Sequence, residues 1–83
     1  MKEKEVGEVT HYYDRAMVAV LKLSGSLAVG DTIKIQRGEH EFEQKVSSMQ
    51  VEHEEITAAK KGDEIGVKVV EPTKEGARVY KLE

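Results

Sequence analysis

The chain has 83 residues, no cysteine, and 16 acidic against 13 basic side chains, for a formal net charge of −3. This length implies one small domain with one core, and the lack of cysteine excludes a disulfide framework or a thiolate metal site. The slightly acidic balance argues against a broad basic surface for nucleic acid, and no run approaches the roughly 20 apolar residues of a membrane span.

In chain order the apolar spacing predicts β structure almost throughout. The charged start "MKEKEVGEV" lacks the apolar centre of a secretory signal, so a cytoplasmic protein without membrane association is expected. Residues 1–4 are expected to form a flexible tail on a single domain spanning 1–83. In "EVGEVTHYY" the apolar positions are Val6 and Val9, and Gly7 between them suggests a bulge or a close backbone approach. "AMVAVLKL", Ala16 to Leu23, is apolar on both faces and predicts a strand buried on two sides. "TIKIQ" alternates, with Ile33 and Ile35 inward, and "RGEH" offers a tight turn. "EFEQKVSSMQVE" places Phe42 and Val46 on one face, and its change of parity at Ser47-Ser48 implies a bulge before Met49 and Val51. "HEEITAAKKGD" reads as a loop with one buried isoleucine, Ile56. "EIGVKVV" and "ARVYKL" supply the last two strands, joined by a connector that holds Pro72. Six or so short strands at this spacing predict an all-β fold, a small antiparallel barrel whose closure removes exposed edges.

Two Gly-Asp pairs, Gly30-Asp31 and Gly62-Asp63, each precede a strand. A phosphate-binding loop needs a Gly-Lys pair leading into a helix, and no Gly-Lys occurs. One aspartate per loop is too few for a calcium ion. The pairs read as structural turns, with glycine at positive φ and aspartate accepting from nearby backbone N–H groups. His11, His40 and His53 lack the paired spacing of metal ligands, and no serine sits in a nucleophile elbow. No metal, cofactor, nucleotide site or catalytic group is therefore assigned, and the chain is expected not to be an enzyme.

The remaining chemistry lies in "THYYDRA". His11, Tyr12, Tyr13 and Arg15 combine stacking rings with a cation, the pairing that single-stranded nucleic acid requires. Lys60 and Lys61 add positive charge, with Lys22 and Arg78 as further cations. The competing structural reading has Tyr12 or Tyr13 capping the core beside an ordinary polar turn.

The ordered set Gly7-x-Val9, Val18-x-Val20, Gly25-x-Leu27-x-Val29-Gly30-Asp31-x-Ile33, Val46-x-Ser48-Met49-Gln50 and Ala59-x-x-Gly62-Asp63-x-x-Gly66 resembles domain II of translational GTPases such as elongation factor Tu and the initiation factors. The whole chain resembles the small stand-alone translation elongation factor-like proteins, and a related barrel resembles the C-terminal extension of collagenase-like peptidases. The glycine-rich approach to the second strand in that family is replaced by Tyr13-Asp14-Arg15-Ala16, and Gly76-Ala77 stands where a further Gly-Asp is common. The resemblance implies a non-catalytic module that contacts tRNA, ribosomal RNA or a ribonucleoprotein through His11, Tyr12, Tyr13, Arg15, Lys60 and Lys61. The alternative is a protein-interaction or accessory domain acting with an enzyme or a basic partner, whose acidic "EHEFE" and "VEHEE" segments face that partner. Fold analogy alone does not choose between them.

Overall fold

The computed structural model describes residues 3–52 and 54–82. Among the described residues there are ten strands: β1 (Glu3–Tyr13), β2 (Val18–Leu23), β3 (Leu27–Ala28), β4 (Thr32–Arg37), β5 (His40–Lys45), β6 (Met49–Val51), β7 (Glu54–Ile56), β8 (Ala58–Ala59), β9 (Glu64–Lys68) and β10 (Arg78–Leu82). Eight form one antiparallel sheet in the order β5-β4-β10-β1-β2-β9-β6-β7, while β3 and β8 pair separately. Among the described residues no helix is long and apolar enough to cross a membrane.

Alternation explains the core. Ala19, Leu21 and Leu23 on β2, Ile33 and Ile35 on β4, Ile65 and Val67 on β9, and Val79 on β10 all point inward and are buried. Val6, Val9, Leu27, Phe42, Val46, Met49, Val69 and Ala77 complete the cluster, with Tyr12 and Ile56 packed at its margin. Gly7 lies where β1 bulges against β10; a Cβ there would come within 2.9 Å of the Lys22 carbonyl oxygen.

The antiparallel all-β expectation holds, and four details differ. The strand expected from Ala16 to Leu23 begins at Val18 and is buried on one face only, because Ala16 and Met17 belong to the preceding turn. The parity change at Ser47-Ser48 is a break, not a bulge: the chain leaves β4 and re-enters the sheet as β6 beside β9. The loop expected around Ile56 contains β7 and β8. Glu3 and Lys4, expected in a tail, pair with Leu82 and Lys81, while residues 1 and 2 lie outside the described residues. No ladder among the described residues joins the two ends of the sheet. Between edge strand β5 and the end of β9, the side chain of Gln44 bridges to the last residue of β9 and the segment that follows it. Its Nε2 donates to Lys68 O at 2.8 Å, and its Oε1 accepts from Val70 N–H at 2.8 Å.

The Gly-Asp turns are built alike. Gly30 and Gly62 have φ of +98° and +94°, a region that suits a residue without Cβ. Asp31 Oδ2 accepts from Ala28 N–H at 2.9 Å, and Asp63 Oδ2 from Lys60 N–H at 3.1 Å. Each turn then exchanges two backbone hydrogen bonds with the chain just after or at the end of another strand, at Val46 for the first and Leu23 for the second. The short strands leading into the two turns face each other, with Leu27 opposite Ala59. A strand–turn–strand unit thus occurs twice, related by an approximate two-fold. Residues 24–26 make the connection in the first copy, and residues 47–57, carrying β6 and β7, make it in the second.

Candidate functional site

The β1–β2 hairpin positions the first group of candidate residues. Tyr13 pairs with Val18 across the loop Asp14 to Met17. Met17 holds φ +54°; its carbonyl accepts from Val69 N–H at 2.8 Å, and its Sδ accepts from the Tyr12 hydroxyl at 3.2 Å. Those contacts turn Tyr12 towards the core margin. His11 and Tyr13 share the opposite face, their ring centroids 4.5 Å apart. Arg15 is exposed in the loop.

The second group lies elsewhere. Lys60 and Lys61 belong to the turn that docks on Leu23, at the far end of β2 from Arg15. Six residues of strand separate the two ends by roughly 17 Å. Lys61 lines a separate hollow with Glu5, Glu8 and Lys22, and Arg78 is engaged by Glu5 at 2.7 Å. That contact, with Glu8 adding to it, holds the Arg78 guanidinium above its ordinary range. The structure therefore gathers Lys22, Lys61 and Arg78 around Glu5 and Glu8 and keeps them apart from Arg15 and the tyrosines.

It does bring together residues that spacing did not single out. Ladder register places Val20 opposite His11 and Gly66 opposite Val20, and Gln50 then pairs with Gly66. Gly66 leaves a gap in this row, where a Cβ would stand 3.2 Å from Val18 Cγ1. The gap floors a groove of about 440 Å³ lined by Tyr13, Val20, Gln50, Val51, Glu52, Glu64, Ile65 and Gly66. A second hollow shares Val51, Glu52 and Glu64 with it and adds Glu54, Ile56, Ala58 and Asp63. The Glu64 carboxylate is steadied by the Thr10 hydroxyl at 3.5 Å. Among the described residues, Glu52, Glu54 and Glu64 form no ion pair with a lysine or arginine. Among the described residues, two non-glycine residues hold positive φ: Glu52, at φ +51°, stands on the groove wall, and Met17 lies on the Tyr12 side of the hairpin. Such backbone costs on the order of 1–3 kcal/mol and concentrates at binding sites.

An apolar floor with an aromatic wall and unpaired carboxylates can bind a cationic, partly apolar segment. It repels phosphate. Among the described residues no group of three or more His, Cys, Asp or Glu side chains could hold a metal ion, and His53 lies outside them. The one sequence signal for the groove was Gly66 inside an otherwise alternating strand, a pattern that marks a close approach or an open site.

No family model matches the chain. It is 40% identical over 79 residues to an uncharacterized protease of Methanocaldococcus jannaschii, a match that covers 94% of this chain and 19% of that protein. The chain thus spans about a fifth of the length of the curated relative it matches. Two solved structures of the C-terminal domain of a U32 peptidase-family protein from Geobacillus thermoleovorans share the fold. One, a selenomethionine variant, has a TM-score of 0.86 at 20% identity over 92% of this chain and 96% of that one. The other has a TM-score of 0.89 at 20% identity over 96% and 93%.

These matches correct the expected assignment to the translation elongation factor-like proteins, and with it the expected ties to the ribosome and protein biosynthesis. The physical reason is that Gly-x-Val, Gly-Asp and Val-x-Val punctuate a strand–turn–strand architecture. Such residues carry the backbone and say nothing of the surface. What the chain resembles is the C-terminal domain of a U32 peptidase-family protein.

Proposed function

We propose that this chain is a non-catalytic accessory domain acting with a peptidase, and that the groove over Gly66 docks a basic, partly apolar segment of a protein partner or substrate. The observation that carries this reading is the extent of the match: nearly all of this chain aligns with only a fifth of an uncharacterized protease. Whatever chemistry that relative performs, most of its length lies outside the aligned part. We further infer that the sheet curls towards a six-stranded barrel of β5, β4, β10, β1, β2 and β9, with Gln44 standing in for the missing ladder.

The test is an NMR titration of the purified chain with a short peptide rich in lysine and leucine. Amide shifts are expected at Tyr13, Val20, Gly66 and Glu64, together with several-fold weaker binding at raised salt and in Glu64→Gln. The peptide should remain intact by mass spectrometry throughout. Hydrolysis that copurifies with the chain and is lost in a point variant would defeat the non-catalytic reading. Shifts confined to Lys60, Lys61 and the β3–β4 turn would defeat the groove.

A further inference from the structure

The seam between β5 and the segment after β9 is closed at one end by Gln44 and open at the other. Beyond Gln44 it widens into a cavity of about 180 Å³ lined by Arg37, His40, Pro72, Thr73 and Lys74. None of these residues lines the groove over Gly66, so the two places are distinct.

Three of the five lining residues are basic, on a chain whose net charge is −3. Arg37 spends only its Nε, on the Glu75 carbonyl at 3.3 Å. Among the described residues neither Arg37 nor Lys74 has a carboxylate within ion-pair distance. The neighbouring acids are mostly drawn away: Glu75 faces His11 at 3.5 Å, and Glu41 faces Lys34 at 3.7 Å. Glu71 stays at the rim, 3.8 Å from His40 Nε2, and Glu39 occupies the turn between Arg37 and His40. His40 is steadied from the other side by the Phe42 ring, centroid to centroid 5.9 Å.

Thr73 supplies an independent observation. It is 6% exposed, and its hydroxyl is shielded from solvent with no hydrogen-bond partner. Native structures rarely leave a buried polar group unpaired. Thr73 lines the cavity, so an acceptor seated there would pair this hydroxyl after a turn of the Thr73 side chain.

We propose that this cavity binds the C-terminal carboxylate of a peptide. The guanidinium of Arg37 and the ammonium of Lys74 take the charge, and Arg37 retains the two terminal amino groups that suit a bidentate contact. Pro72 and the Thr73 methyl give an apolar wall for the last side chain. The volume suits one residue's end and falls below that of pockets for larger ligands. A carboxylate with an apolar group beside it describes a chain terminus better than an acidic side chain. For a domain acting beside a peptidase, such a site would hold a peptide by its end.

The experiment uses the chain itself, labelled with ¹⁵N, and an N-acetylated tripeptide ending in leucine. The free acid is expected to shift the amides of Arg37, His40, Thr73 and Lys74, and the C-terminal amide of the same peptide is expected not to. Arg37→Gln should weaken the free acid roughly tenfold, as loss of a charge-assisted bond does. Thr73→Val, nearly equal in volume, should weaken it several-fold with an otherwise native spectrum. Equal binding of acid and amide, or unchanged affinity in both variants, would overturn the proposal. So would acetate alone at matched concentration giving the same shifts, or an amidated peptide with an internal glutamate doing so, since either would reduce the cavity to a general anion site. This outcome is separable from that of the groove, because the two sets of reporting amides share no residue.

Discussion

At the scale of single residues, the glycines divide by cause. Gly30 and Gly62 hold positive φ with open space around the missing Cβ, so a side chain there meets backbone strain and no clash. Gly7 is the reverse: its φ is ordinary, but a Cβ would press on the Lys22 carbonyl and the Leu23 side chain. Gly62→Asn should therefore cost less than 1 kcal/mol, since asparagine visits the left-handed region readily. Gly7→Ala should cost about 1–3 kcal/mol through displaced sheet. Urea unfolding of the two variants checks the order; a larger loss at Gly62→Asn would mean that space and not backbone limits that turn. The glycines were legible in the sequence as punctuation. Which of them serves φ and which serves proximity was not, because proximity depends on a strand paired from elsewhere in the chain.

At the scale of elements, the sheet ends in an edge strand whose outer side is held by one amide. Gln44 is 9% exposed and occupies an inward position between Phe42 and Val46. A polar residue there is tolerated because both ends of its amide are bonded. Gln44→Leu should retain the apolar volume yet leave Lys68 O and Val70 N–H without their partner, costing about 1–3 kcal/mol. Amide exchange should quicken at Val70 before it does in β1 or β2; uniform exchange across all strands would instead make the contact dispensable. From the sequence, β4, β5, β9 and β10 were readable by alternation. β6 was read as a continuation of β5, and the two- and three-residue strands β3, β7 and β8 were not read at all, since such lengths carry no period and exist only through their partners.

At the scale of the whole molecule, a charge strap crosses the sheet. Lys34 on β4 meets Glu3 from β1 and Glu41 from β5, and its ammonium lies 5.4 Å from the Tyr80 ring centroid on β10. The hydrogen bond to Glu3 holds the Lys34 pKa above the ordinary lysine range, with the charges of Glu3 and Glu41 adding to it. The folded state therefore binds this proton more tightly than the unfolded chain. Its contribution to stability is full below the unfolded pKa and disappears as pH rises through the folded one. Melting curves should show the advantage of the native chain over Lys34→Met intact at neutral pH and shrinking only in strongly alkaline solution; a gap independent of pH would assign it to packing. The groove over Gly66 was the least legible feature. The acidic "VEHEE" run stood only as one half of the alternative reading, and "HYYDR" with its distant lysines looked like a nucleic-acid patch. Only long-range pairing of β2, β9 and β6 shows that Glu52 and Glu64 meet across Gly66 while the lysines stay apart.

The doubled strand–turn–strand unit has a consequence for how such a domain diversifies. One copy crosses between its strands in residues 24–26, whereas the other uses residues 47–57, and that longer crossing supplies Val51 and Glu52 to the acidic groove and Glu54 and Ile56 to the hollow beside it. Lengthening a connection costs little, about 0.6 kcal/mol per doubling, while the paired Gly-Asp turns keep their own hydrogen bonds. If Met49 is kept as the buried anchor, the crossing is an interchangeable cassette. New specificities can be grafted onto the symmetric frame without rewriting the residues that hold it.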